Sequence, residues 1–290
     1  MATKKKSAVQ DIVEKSGNFF HSRVVKLLRE QGWTVLVSPH YSDNFTDKPR
    51  EIDIIAEKKF DVKDFIYDWL GTLNVRLFIE CKYINGDTIF WFDEKDKERA
   101  TERIMRDTGM DEPEKNASIQ NHHYYTDIPV AKLFASEKSR SEDNELMNKA
   151  INQNLNATIY YRNRGDLKLI TSKKGYADKV IKRVSYPIIV VNSFDSFHST
   201  AMGGNEELSK ITEPFQLEVN YAYTDKDRNG HSEYFLIDVV SIDKLSEFLA
   251  SSIEKLDVGI IIEKLIWDKR MSQSRNPRQQ GGDDIFRNFN

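Results

Sequence analysis

Three runs of β character follow one another between residues 33 and 84: "WTVLVS", "REIDIIAE" and "VRLFIECKYI". Short connections between successive strands favour antiparallel neighbours. The sequence therefore predicts a meander at the start of a layered α/β domain. A helix precedes it. Val9, Ile12, Val13, Phe20, Val24, Leu27 and Leu28 recur at helical spacing over 7–31, and Gly32 follows as a stop signal. "HYSDNFTDKP", 40–49, reads as a polar turn region, and "VKDFIYDWLG", 62–71, as a short helix closed by Gly71.

The third run poses a chemical problem. Glu80 and Lys82 stand inside the apolar stretch "LFIECKYI". Burying an unpaired charge is costly. Side chains on a strand alternate faces, so these two share one face and Leu77, Ile79, Cys81 and Tyr83 take the other. Asp53, between Ile52 and Ile54 in the preceding run, is a third charge in an apolar setting. Neighbouring strands lie about 4.8 Å apart, so Asp53 can reach Glu80 if the register allows it. Two converging carboxylates repel unless a cation lies between them. A hard divalent ion, Mg²⁺ or Mn²⁺, takes oxygen ligands, and the Cys81 carbonyl would supply a third. Lys82 is then placed to orient a water or to stabilise charge on phosphorus. A same-face ion pair explains Glu80 and Lys82 equally well when they are considered alone.

The rest of the chain adds few constraints. With 290 residues, 39% hydrophobic, a sizeable core is available. The net charge of −3 excludes a uniformly basic coat for polyanions, so such binding needs local patches. A single cysteine, Cys81, excludes an intrachain disulfide and a zinc ribbon. There is no phosphate-binding Gly-x-x-x-x-Gly-Lys loop, no dinucleotide fingerprint and no Gly-x-Ser-x-Gly elbow. No apolar run approaches a membrane span, and "MATKKKSAVQ" lacks the apolar core of a secretion signal, so a cytoplasmic location is expected.

Residues 85–143 read as a polar insertion. It holds a charged helical run at 93–107 and the loop "NHHYYTD", expected to be solvated with aromatic anchors. A helix over 144–160, a fourth strand "YPIIVVNSF", and a hairpin with its turn at "DKDRNGHS" follow. A helix over 243–256 completes a hairpin–helix extension at 200–260, and 261–290 are expected to hold the helix end and a flexible tail. Residues 1–260 are thus expected to form one domain. Arg162, Arg164, Lys168, Lys173, Lys174, Lys179, Lys182 and Arg183 oppose only Asp166 and Asp178, a local excess suited to tracking phosphates. Gln153 sits on the helix before the fourth strand as a polar helper or a solvated residue.

Asp53 on the second strand and Glu80-Cys81-Lys82 on the third, after one helix, resemble the PD-(D/E)xK nuclease superfamily, which includes restriction endonucleases and archaeal Holliday junction resolvases. "GNFFHSRVVKLLREQGWTV" is similar to the opening helix of Mrr-like restriction enzymes. The resemblance covers about 8–84 and 144–193. It departs in two places: no proline directly precedes Asp53, and His21 fills the slot where many members carry a helix-one glutamate, with Glu14 seven residues earlier. The resemblance implies a restriction-endonuclease-like αβββαβ core with a mixed central sheet flanked by helices. It also implies an Mg²⁺- or Mn²⁺-dependent DNA endonuclease serving in bacterial or archaeal defence. Asp53, Glu80 and Lys82 would be catalytic. Asp53, Glu80 and the Cys81 carbonyl would bind metal, with Glu14, His21 or neither as a ligand from the first helix. From the local basic excess, Lys173, Lys174, Lys182 and Arg183 would contact nucleic acid unless that stretch is an ordinary basic surface, and the resemblance adds Gln153 as a candidate helper. Cutting both strands would favour a homodimer, and specificity would lie in the insertion or in a separate partner protein. The alternatives are an inactive nucleic-acid-binding or scaffold version of the fold, and an RNA nuclease.

Overall fold

The computed structural model describes residues 17–44, 46–66, 68–109, 117–136, 141–164, 179–203, 208–225 and 227–274. Helix α1, Gly17–Glu30, buries Phe20, Val24, Val25 and Leu28 as one stripe. It stops at Gly32, whose φ of 83° lets the Trp33 N–H reach the Leu28 carbonyl at 3.0 Å, a left-handed helix stop. The first strands are β1 (Thr34–Val37), β2 (His40–Ser42), β3 (Pro49–Glu51), β4 (Ile54–Asp64) and β5 (Asp68–Lys82). They are followed by β6 (Thr88–Asp93), α2 (Lys97–Thr108), a short 3-10 helix (Ala117–Asn121), β7 (Val130–Ser136) and α3 (Ser141–Arg164). Strands β8 (Val180–Val191), β9 (Phe197–Ala201), β10 (Ser209–Lys210), β11 (Phe215–Thr224) and β12 (Gly230–Ser241) come next. The described chain ends in α4 (Ile242–Phe248), a π-helix (Leu249–Asp257) and α5 (Val258–Ser274).

Ten strands form one mixed sheet in the order β1-β4-β5-β8-β12-β11-β7-β6-β9-β10, and β2 pairs β3 apart from it. The chain is therefore α/β, a large mixed sheet with helices on both faces. In the five strands from β1 to β12, β4 alone runs against the others. One face is covered by α1, α2 and the segment from α4 to α5, whose Leu28, Ile104, Leu245, Ile253 and Ile261 share a core with Ile79 and Ile188. The other face is covered by α3, through Met147, Ala150, Leu155 and Ile159 packed with Ile189 and Val239. No helix among the described residues is long and apolar enough to cross a membrane.

Several expectations are corrected here. The helix expected over 62–71 is instead a hairpin: β4 and β5 pair from Ile54↔Ile79 down to Asp64↔Asp68. Phe65 is 99% exposed at the turn. Tertiary contacts outweigh the local pattern. Arg270 of α5 grips Asp64 through two nitrogens at 2.8 and 2.9 Å, and the Thr72 N–H donates to the Lys179 carbonyl at 2.9 Å. Gly71 has a φ of 150°, and a Cβ there would stand 2.6 Å from that carbonyl. The run "REIDIIAE" is broken at Ile52–Asp53, with its first residues pairing β2 and the rest pairing β1 and β5. Residues 85–143 contribute β6 and β7 to the sheet, and the expected C-terminal extension supplies β12, which lies directly beside β8.

Candidate active site

The break between β3 and β4 is where Asp53 sits. Ile54 pairs Ile79, which sets Asp53 opposite Glu80 across the antiparallel ladder. The Asp53 carbonyl accepts the Ser38 N–H at 2.8 Å, fixing the turn from β1. Three contacts then bind the cluster. The Cys81 N–H donates to Asp53 Oδ2 at 2.8 Å, Asp53 N–H to Glu80 Oε1 at 3.4 Å, and Lys82 Nζ to Glu80 Oε2 at 2.6 Å. Lys82 Nζ also stands 3.8 Å from Asp53 Oδ2. The side chains grade from inside to outside: Glu80 is 0% exposed, Lys82 11% and Asp53 27%. Cys81 meets Asp53 through its N–H.

Burial, opposed by the Lys82 charge and aided by the Asp53 charge, lifts the Glu80 carboxyl to about 8. Burial works against the Lys82 charge too, but Glu80 and Asp53 outweigh it and hold the amine above its ordinary value. Lys82 is therefore a fixed cation. With one cation among two carboxylates, the cluster has an excess of acceptor oxygens at its open, Asp53 side.

The other predicted residues divide. Gln153, on α3, comes close: its Nε2 donates to the Glu51 carbonyl at 2.9 Å, and Tyr41 Oη donates to the Gln153 carbonyl at 2.9 Å. Its Oε1 is buried with no hydrogen-bond partner. The neighbouring Asn154 ties the Phe78 and Ile188 carbonyls of β5 and β8 together, each at 2.8 Å, and so anchors α3 on the strand that carries Glu80. His21 lies on α1 with a buried Nε2 that has no hydrogen-bond partner. Glu14, Lys173 and Lys174 lie outside the described residues. Lys182 and Arg183 pair Leu73 and Asn74, near the start of β5. Leu73 precedes Glu80 by seven residues, roughly 23 Å of strand, so these two basic residues stand at the opposite end of the sheet from the carboxylates.

A second polar cluster lies on the sheet's other face, where the expected solvated loop "NHHYYTD" is in fact buried at His122, His123 and Tyr124. His123 stands between two acids. Its Nδ1 contacts Asp257 Oδ2, and its Nε2 lies 3.2 Å from Asp238 Oδ2. The His123 N–H also donates to Asp257 Oδ1 at 3.0 Å, and Tyr124 Oη donates to Asp238 Oδ2 at 3.2 Å. His122 Nδ1 accepts the Tyr124 N–H at 3.2 Å, which leaves its Nε2 to face Asp257 Oδ2 at 3.3 Å. Burial disfavours charge at both rings. It takes His122 down to about 4, whereas Asp257 and Asp238 overcome it at His123 and hold that ring at about 10. His122, His123 and Asp257 bring ligand-type atoms within 4.8 Å of one another. A neutral His122 that accepts at Nδ1 carries its proton on the nitrogen facing Asp257. The sequence held a signal for this cluster, since Asp238 stands inside "FLIDVV" as Glu80 stands inside "LFIECKYI".

The chain matches no family model, no curated protein and no solved structure.

Proposed function

We infer that this chain is a metal-dependent endonuclease of the restriction-endonuclease-like fold, hydrolysing phosphodiester bonds in DNA. The observation that carries the reading is the convergence of Asp53, Glu80 and Lys82: one carboxylate at the break before β4 and one facing it on β5, with an ammonium 2.6 Å from Glu80 and 3.8 Å from Asp53. The strand order β1-β4-β5-β8-β12, with β4 alone reversed in a mixed sheet flanked by helices, is compatible with the αβββαβ core that the sequence resemblance implies.

The donor set suits a hard divalent ion. The acceptor oxygens of Asp53 and Glu80, one carboxylate raised by burial and a like charge, and an open side at Asp53 are what Mg²⁺ or Mn²⁺ would satisfy. When bound, such an ion supplies a water acidic enough to attack at neutral pH and a counter-charge for the phosphoryl oxygens. Asp53 and Glu80 would hold it, with the Cys81 carbonyl beside them and either His21 or Glu14 from the first helix. Lys82 would donate hydrogen bonds to the attacking water or to a non-bridging oxygen. As a held cation, it acts by charge and position rather than by accepting a proton. Gln153 would orient the wall beside Asp53. Defence against foreign DNA, a homodimer and a separate specificity partner complete the reading that the resemblance implies.

The test is cleavage of labelled DNA and RNA with Mg²⁺, with Mn²⁺ and with chelator, using the parent chain and Lys82→Ala. Metal-dependent nicking of DNA that falls at least about 100-fold in the variant, with thermal unfolding little changed, is the expected result. Cleavage of RNA alone would reassign the substrate. Binding of DNA without cleavage under any metal would favour an inactive scaffold. A folded Lys82→Ala chain that cuts at the parental rate would reduce Glu80 and Lys82 to a structural ion pair.

A further inference from the structure

On the face away from Glu80, a cavity of about 330 Å³ opens between β11, β12 and the π-helix. Its walls are apolar, with Phe215 on one side and Phe248 on the other, and Ile128 and Leu256 at the mouth, both largely exposed. Its floor is polar and rich in acceptors. Asp238 is buried there, and its outer oxygen, Oδ1, receives only a long 3.5 Å hydrogen bond from Gln216 Nε2. Gln216 lines the same cavity, and its Oε1 is buried with no hydrogen-bond donor. The one lysine of the lining, Lys244, already donates to Glu213 at 3.1 Å. The π-helix forms one side through Ser251, Ser252 and Leu256, and its last residue, Asp257, grips His123 behind the floor. Nine residues of π-helix are unusual, and such segments recur at functional sites.

We propose that this cavity is a second binding site, for a small organic cation: an amine or amidine head on an apolar body. The volume is at the lower end for small-molecule pockets, and apolar walls with a few convergent polar groups are their common pattern. A buried acceptor left without a donor costs free energy, so the occupant is one that brings N–H donors to Gln216 and Asp238. In the lining the three acids Asp238, Glu213 and Glu247 outnumber the two cations, His123 beside Asp238 and Lys244 on Glu213, and Glu247, unpaired among the described residues, opposes an anionic head. The exposed Ile128 and Leu256 call for an apolar body where water alone would leave them wet. The site shares no residue with the Asp53 cluster and stands independently of the nuclease reading.

The test uses the full chain and two pairs of probes alike in shape and opposite in charge: benzamidine against benzoate, and tryptamine against indole-3-acetate. Calorimetry and thermal unfolding are expected to show saturable binding of at least one cation and none of either anion. Ser252→Phe, which fills the cavity from the π-helix without touching the buried acids, should abolish that binding and leave unfolding of the free chain nearly unchanged. Gln216→Met should weaken it about tenfold, the worth of one hydrogen bond to a charged head. Anions bound as tightly as cations, no saturable binding of either cation, or binding that survives Ser252→Phe would overturn the proposal.

Discussion

Glu80 and Asp238 are both acids set inside apolar strands of the same sheet, yet their surroundings treat them differently. Asp238 shares the imidazolium of His123 with Asp257 and takes a hydroxyl from Tyr124. Charge and donors there nearly balance the acids. Glu80 has one ammonium, which it shares with Asp53, and its carboxyl is pushed up to about 8. The first arrangement fixes a loop and a helix end against the sheet. The second leaves carboxylate oxygens beside solvent, with Glu80 holding a proton that an arriving cation can displace. Buried charge by itself does not mark a reactive site. Acceptor oxygens with too few donors do, together with an open side.

The sharpest way to break this contrast is to neutralise one acid in each cluster. Asp257→Asn should cost about 3–5 kcal/mol in urea unfolding, because it strips a buried imidazolium of its nearest counter-charge. Glu80→Gln should cost under about 1 kcal/mol, since that carboxyl is already biased toward its neutral form. Equal costs would erase the distinction drawn here. The functional counterpart is Asp53→Asn. Cleavage should fall by at least about two orders of magnitude, and Mn²⁺ should no longer raise the unfolding temperature, with the metal-free fold unchanged. A variant that still responds to Mn²⁺ would move the ion away from Asp53.

The pH dependence separates the clusters more finely. Between about 6.5 and 8 the folded chain keeps protons on both Glu80 and His123 that the unfolded chain has released. Stability should therefore fall as pH rises, by up to about 1.4 kcal/mol per pH unit for each group. From 8 to 10 only His123 continues the loss. Between about 4.5 and 6.5 Glu80 continues that loss, while His122, which stays neutral down to about 4 when folded, costs stability as pH falls, so the two slopes oppose each other there. Saturating Mg²⁺, or Glu80→Gln, should remove the Glu80 part of the alkaline slope and leave the His123 part. Urea midpoints across pH 4–10 measure both. The smallest effect expected is at Gln153→Leu, about 1 kcal/mol for its bond to the Glu51 carbonyl, and an unchanged midpoint would leave that bond without weight.

The legible part of this molecule is the part governed by local periodicity. The first strands, the Asn-Gly hairpin and the helix that buries Ala150, Leu155 and Ile159 all appear where apolar spacing and turn residues place them. Asp53 and Glu80 face each other because strand alternation is short-range and strict. What failed depended on distant partners. The stretch 62–71 has helical spacing, but Asp64 is claimed by Arg270 and Gly71 must let Lys179 approach. "NHHYYTD" is polar in composition, and only Asp238 and Asp257, more than a hundred residues away, make its burial affordable. Residues 85–143 looked like an insertion because strands at the far side of a sheet pair with segments remote in sequence, as β6 does with β9.

The position of β12 has a consequence for how the protein is made. It is the last strand among the described residues, yet it lies inside the sheet, joining β8 to β11. During synthesis, β1, β4, β5 and β8 can assemble with α1 and α3, but the edge of β8 stays open until residues 230–241 have left the ribosome. Until then a growing chain exposes an unpaired apolar strand, Ile188–Val191, which can pair with a neighbouring nascent chain on the same message. Aggregation during expression is therefore expected to be governed by how quickly the codons between β8 and the end of β12 are read.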